Sequence, residues 1–97
     1  MDKKNVWYSI GAGTVTPETP LPDLPEIPRG ALVIVEGRAP VWRYGMAFHK
    51  LHGLASAVAV YDPRLGAVVV ASHTTEYCEG DIIDVAPLTD APLPDSK

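Results

Sequence analysis

The residues of this sequence that could do chemistry stand where apolar runs end. Asp62 and Arg64 occupy the segment YDPRLG, His73 follows the run AVVVAS, and His52 closes the segment HKLH. Arginine and histidine suit the binding of a small anion, and histidine also transfers protons near neutral pH. Each residue type has an ordinary structural explanation as well, because Asp-Pro-x-x-Gly is a common turn, a surface arginine is usually solvated and a histidine can close a helix. Where the fold places these residues decides between the two interpretations.

Length and composition restrict the class of protein. With 97 residues the chain is predicted to be one domain, with an ordered core at about 6–86 and a flexible, proline-rich tail at 87–97. The net charge of -4 argues against DNA as a partner and against sequence-blind RNA binding, yet it allows a small anionic ligand. The single cysteine, the lack of a signal-peptide pattern and the lack of a bilayer-length apolar run predict a cytoplasmic protein with no membrane partner.

Apolar patterning and turn residues predict an α+β fold, a small mixed sheet of about five strands with one main helix. The strands are expected at 6–15, 31–36, 54–61, 67–71 and 81–85. The helix at 40–52 joins two parallel strands in a right-handed βαβ unit, and a tight turn at 62–66 forms a hairpin. A proline-rich connector at 16–29 is expected to cross the surface.

The predicted helix has distinct ends and one apolar side. Pro40 suits the first helical position, where its missing N–H is not needed, and Gly53 suits the residue just past the end. The apolar stripe consists of Val41, Tyr44, Phe48 and Leu51. Arg43 and Lys50 are expected on the opposite side of the helix, in water.

The strand directions divide the polar residues between two edges of the sheet. Parallel strands end at the same edge, so Gly37, Arg38, Asp62, Arg64 and the helix N-terminus, with Trp42 beside it, are expected together there. Such an edge is the usual place for a ligand in an open α/β sheet, and a helix N-terminus attracts phosphate. The helix and the returning strand both run back, so His52 and His73 are expected at the opposite edge. About 20 Å of strand separates the two edges.

Longer segments suggest a family. GALVIVEGRAPVWRY, HKLHG, AVAVYDPRLGAVVVASH and GDIIDV, together with the approach PDLPEIPRG, resemble the small CRISPR-associated ring nucleases of type III systems. These are stand-alone, manganese-dependent enzymes that degrade cyclic tetra-adenylate. The resemblance covers about 25–85, and its specific part is the pairing of YDPRLG with VVVASH. It implies a fold distantly like the Rossmann-like sensor domains for cyclic oligoadenylate.

The resemblance also implies roles for individual residues. Asp62, Arg64, His73 and His52 would be catalytic, with His49 as the alternative helix histidine. Arg64 would pair with a phosphate. His73, and with it His52, would move a proton or bind the metal, and Asp62 would bind Mn²⁺ beside His73 or orient a histidine. The ligand would also contact the residues at the same edge as Arg64, namely Arg38, Gly37 and Trp42.

The function implied is cleavage of cyclic tetra-adenylate to linear oligoadenylate, which switches off antiviral signalling. The reaction resembles metal-aided attack by a ribose 2′-OH on the adjacent phosphate. Two alternatives stay open. One is a manganese-dependent 3′ exonuclease that removes poly(A) from RNA. The other is a sensor that binds cyclic oligoadenylate without cutting it.

The division of the four residues between two edges predicts an assembly. Asp62 and Arg64 cannot reach His52 and His73 within one chain, yet the resemblance implies one site. Both hold if subunits meet edge to edge around the ligand. A homodimer that assembles head to tail into a tetramer or a filament is therefore expected, since heterologous contacts continue when they do not close.

Overall fold

The computed structural model describes residues 5–12 and 14–85 as a five-stranded sheet and one long helix. The elements are β1 (Asn5–Ala12), β2 (Leu32–Arg38), α1 (Val41–Leu51), β3 (Ala57–Asp62), β4 (Gly66–Ser72) and β5 (Ile82–Ile83). The predicted α+β class is confirmed. The tail predicted at 87–97 lies outside the described residues.

The strands lie in the sheet in chain order, β1-β2-β3-β4-β5. β1, β2 and β3 are parallel, whereas β4 and β5 are antiparallel to their neighbours. Two connections between parallel neighbouring strands are therefore needed, one from β1 to β2 and one from β2 to β3. Helix α1 makes the one from β2 to β3, as predicted, and the proline-rich connector makes the one from β1 to β2.

Both faces of the central strands are buried, which explains their continuous apolar runs. On the face covered by α1, the buried side chains are Tyr8, Ile10, Val33, Val35, Ala47, Leu51, Ala55 and Val58. On the other face they are Leu32, Ile34, Ala57, Ala59, Ala67, Val69 and Tyr77. Strand β2 alternates between the two groups, so it holds the two halves of the core together.

Helix α1 begins and ends within one residue of the predicted bounds, but it is rotated relative to the prediction. Pro40, expected as the first helical residue, is instead the residue before the helix, with extended φ -63° and ψ 157°. Gly53 follows the helix with φ +83°, a conformation that suits glycine. Val41, expected in the apolar stripe, is 84% exposed, and Arg43, expected in water, is only 3% exposed. Arg43, Ala47 and Leu51 form the buried side instead.

Arg43 is buried because its guanidinium finds three backbone carbonyls. Its Nε donates to Ile10 O at 2.8 Å, its Nη1 to Thr19 O at 3.0 Å and its Nη2 to Pro20 O at 3.1 Å. Three hydrogen bonds from one guanidinium offset the free-energy cost of burying its charge. Arg43 thus joins helix α1, strand β1 and the proline-rich connector, which also packs Leu21, Leu24 and Ile27 against the core.

Replacing Arg43 with methionine is expected to lower the free energy of unfolding by about 2–4 kcal/mol. Methionine fills much of the same space, but it leaves three carbonyls without their donor. Urea denaturation followed by circular dichroism measures the change. Lys50→Met, on the exposed side of the same helix, is the matched control and is expected to change stability by about 0.5 kcal/mol or less. Equal effects of the two substitutions would contradict the joining role of Arg43.

Candidate functional site

One edge of the sheet, here called the Asp62 rim, carries the ends of β2 and β3 and the start of α1. β2 extends two residues further than predicted, so Gly37 and Arg38 are its last residues rather than part of a turn. Gly37 packs so closely on β1 that a Cβ there would lie 2.7 Å from Gly11 O. The Tyr44 hydroxyl donates to Gly37 O, and burial, followed by the charge of Glu36, raises the pKa of Tyr44. Contacts with β1 and α1 therefore hold the backbone at Gly37.

Asp62 and Arg64 lie in the hairpin turn of this rim. The Asp62 carboxylate accepts the Arg64 backbone N–H at 2.7 Å, and the Arg64 Nε lies 3.7 Å from the same oxygen. The Arg64 side chain is 86% exposed, and so exposed an ion pair adds little stability. Asp62 thus shapes the turn, and the Arg64 guanidinium is available to an anion from solvent.

Three further candidates are placed on the Asp62 rim as predicted. Arg38 is exposed at the end of β2, next to Gly37. Trp42 lies in the first turn of α1 with 38% of its surface exposed. The rim therefore presents two arginines and one accessible aromatic ring.

The opposite edge, here called the histidine rim, brings His52 and His73 together. Their ring centroids lie 5.5 Å apart with the planes at 68°, and both side chains are exposed. His52 follows the last turn of α1, where its N–H donates to Phe48 O. His73 follows β4, where its N–H donates to Ser56 O at 2.8 Å. His49 is exposed and does not line the cavity beside this pair.

The two rims lie at opposite ends of one strand. In the β3–β4 hairpin, Asp62 pairs with Gly66 at one end and Ala57 pairs with Ser72 at the other. The six residues of β3 correspond to about 20 Å of strand. The predicted separation of Asp62 and Arg64 from His52 and His73 within one chain is confirmed.

A cavity of about 470 Å³ opens beside the histidine pair, large enough for a small ligand. Besides the two histidines it is lined by Arg29, Ser56 and the apolar side chains of Ile27 and Leu54. The sequence prediction missed Arg29, which stands in the proline-rich connector. The signal that could have found it is Pro28-Arg29-Gly30 directly before a buried strand, because glycine favours the third position of a tight turn and so indicates Arg29 at a turn tip.

Comparison with known proteins gives the family. The model of a CRISPR-associated protein family, Cas_csx3, matches residues 10–84. The chain belongs to the Cas_csx3 family. The match includes both rims, and it confirms the CRISPR association that the sequence segments suggested. An uncharacterized protein of Aquifex aeolicus (strain VF5) is 44% identical over 52 residues, which is 53% of this chain and 46% of that protein. The chain thus spans about half the length of this curated relative.

The family resemblance implies a manganese ion, which would need several donor side chains close together. Residues 5–12 and 14–85 contain no group of three or more histidine, cysteine or acidic side chains close enough to hold a metal. His52 and His73 supply two imidazoles at one rim, whereas Asp62 lies at the other. The described part of one chain therefore brings together no complete ligand set, and Asp62 and His73, at opposite rims, could share an ion only across two subunits.

In the part of the chain that is described, α1 is too short to cross a bilayer, and no other helix meets the length and hydropathy needed.

Proposed function

We propose that the chain is a ring nuclease that opens cyclic tetra-adenylate to linear oligoadenylate and so switches off type III CRISPR signalling. The observation that carries the proposal is the His52–His73 pair, 5.5 Å between centroids, beside a cavity of about 470 Å³ in a Cas_csx3 chain. Two imidazoles side by side are suited to accept one proton and deliver another in a single reaction.

The reaction is an internal transfer at phosphorus. The ribose 2′-oxygen attacks the adjacent phosphorus, a P–O2′ bond forms, and the P–O5′ bond breaks. One imidazole removes the proton from the 2′-OH, and the other gives a proton to the departing 5′-oxygen. The ring opens to a linear strand with a 2′,3′-cyclic phosphate and a 5′-OH, and no water is consumed.

The Asp62 rim would act from a second subunit. Arg64 is exposed enough to pair with a phosphate, and Arg38, Gly37 and Trp42 lie on the same rim, where the indole could stack on adenine. In a head-to-tail contact this rim faces the histidine rim of the neighbour, with the ligand between them. The assembly would be a homodimer that extends to a tetramer or a filament.

In this proposal a manganese ion would be held between two subunits. Asp62 of one subunit and His73 of the next would hold the ion, which when bound would supply positive charge to the phosphate oxygens. An imidazole nitrogen of His73 that held the ion could not also accept a proton, so His73 would either bind the metal or move a proton, and proton transfer by both imidazoles applies without the ion.

Incubation of the purified chain with cyclic tetra-adenylate, with and without Mn²⁺, tests the proposal. A linear product with a 2′,3′-cyclic phosphate supports a ring nuclease. Trimming of a 3′ poly(A) RNA with no ring opening would identify an exonuclease instead, and binding without any product would identify a sensor.

Replacing Arg64 with alanine is expected to weaken the binding of cyclic tetra-adenylate by about 10- to 100-fold, because a charged phosphate partner contributes about 1.5–3 kcal/mol. Isothermal titration calorimetry measures the affinity. Arg64→Lys keeps the charge but not the paired donors, and it is expected to recover part of the affinity. Unchanged affinity in Arg64→Ala would make Arg64 an ordinary surface residue.

A further inference from the structure

The cavity of the histidine rim contains a cation from the same chain. Arg29 lies in a tight turn in which Ala31 N donates to Pro28 O at 3.1 Å and Gly30 has φ +83°. This geometry is that of a turn with glycine at its third position, which leaves Arg29 at the tip. The Arg29 side chain is exposed and lines the cavity together with His52 and His73.

Two backbone hydrogen bonds fix this turn relative to His73. Ser56 N donates to Ala31 O at 3.2 Å, and His73 N donates to Ser56 O at 2.8 Å. The end of the connector, the approach to β3 and the end of β4 are thus joined through one residue. The Cα positions of Arg29 and His73 are therefore set by the same hydrogen-bonded framework, while the long Arg29 side chain stays free to adjust.

The charge of Arg29 has no counterpart in the described part of the chain. Within residues 5–12 and 14–85 its guanidinium forms no ion pair and donates no hydrogen bond, and no aspartate or glutamate lines the cavity. Arginine stays charged at every physiological pH and offers five donors in a planar fork. A fork of this kind beside two imidazoles suits an anion with several oxygens.

We propose that Arg29 binds a phosphate group of the ligand in the cavity of the histidine rim, an assignment that rests on the proposed ring nuclease function. Each subunit then supplies a phosphate-binding arginine and the histidine pair on one rim. Arg64 of the neighbouring subunit binds a different phosphate of the same ring. Arg29 holds the phosphate at which the histidines act, and the apolar Leu54, 55% exposed at the cavity, offers a surface to the adjoining base.

Nuclear magnetic resonance with adenosine 5′-monophosphate as the probe tests the assignment without any cleavage. In the full chain the probe is expected to shift the imidazole signals of His52 and His73 more than those of His49. Arg29→Ala is expected to raise the dissociation constant of the probe at least about tenfold, and Arg29→Lys to restore part of the affinity. Lys50→Ala removes the same charge from an exposed position outside the cavity and is the matched control, with no change expected.

Steady-state kinetics with cyclic tetra-adenylate separates the two proposals. Arg29→Ala is expected to raise KM more than it lowers kcat, because the His52–His73 pair remains. If the unchanged chain does not open the ring but its affinity for the monophosphate still depends on Arg29, the ring nuclease proposal falls and the phosphate site stands. The assignment of Arg29 is wrong if the ring is opened and Arg29→Ala changes neither KM nor the affinity for the monophosphate. It is also wrong if the monophosphate does not bind the unchanged chain.

Discussion

A chain in which alanine replaces His73 is expected to open cyclic tetra-adenylate at least about 100-fold more slowly than the unchanged chain. The substitution removes one of the two imidazoles that exchange protons with the ligand. Binding is expected to be largely intact, because the phosphates are held by arginines and because the backbone bond from His73 N to Ser56 O does not involve the side chain. Single-turnover kinetics with excess protein measures the chemical step, and calorimetry measures affinity separately.

His49→Ala is the matched control for this substitution. His49 is an exposed histidine on α1, near His52 in sequence, and it does not line the cavity. Its removal is expected to leave the rate within about twofold of the unchanged chain. Full turnover by His73→Ala would remove His73 from the site, and an equal loss in both variants would show that the histidine rim is not where the chemistry occurs.

The ends of helix α1 could be predicted from sequence because local chemistry sets them, whereas its rotation could not. Pro40 and Gly53 act through their own backbone conformations. The rotation depends on Arg43, whose partners Ile10, Thr19 and Pro20 come from segments more than twenty residues away in sequence. A pattern that counts arginine as polar places it in water, and only the path of the connector shows that it is buried.

The start of β3 shows a similar limit of apolar patterning. The run from Leu54 predicted a strand there, yet β3 begins at Ala57. Leu54 N and Ala55 N both donate to Leu51 O, at 2.9 Å and 3.4 Å, so the chain is still completing the helix end. Leu54 is left exposed at the cavity. An apolar residue before a strand can therefore belong to a ligand surface rather than to the sheet.

The candidate site was predictable where it follows from chain direction. Parallel strands and an antiparallel hairpin place Asp62 and Arg64 at one rim and the two histidines at the other whatever the detailed packing. Arg29 was not predictable in this way, because a proline-rich connector has no periodicity from which to infer its path. Arg29 reaches the histidine rim because Ser56 N donates a hydrogen bond to Ala31 O, at the end of the turn that contains Arg29. That hydrogen bond connects residues far apart in sequence.

Mixing two inactive variants tests whether the rims of different subunits form one site, and recovery of activity is expected. Asp62→Asn keeps an oxygen that can accept the Arg64 N–H and so preserves the turn, while it removes the carboxylate charge. His73→Ala removes the imidazole from the other rim. In an equal mixture about a quarter of head-to-tail contacts combine an intact Asp62 with an intact His73. The mixture is therefore expected to recover up to about a quarter of the activity of the unchanged chain.

The dependence on concentration supplies the control for this experiment. A site shared between subunits becomes more active per chain as protein concentration rises, until assembly is complete, and the same curve is expected for the mixture and for the unchanged chain. A chain that carries both substitutions has no intact rim, so it is expected to restore nothing when mixed with either single variant beyond what that variant shows alone. If the two single variants assemble together, as seen by mass spectrometry of differently labelled subunits, and the mixture still opens no ring, then the shared site is wrong. In that case Arg29 and the histidine pair of one chain must hold the ligand without Asp62, and Asp62→Asn alone should retain the affinity of the unchanged chain for adenosine 5′-monophosphate.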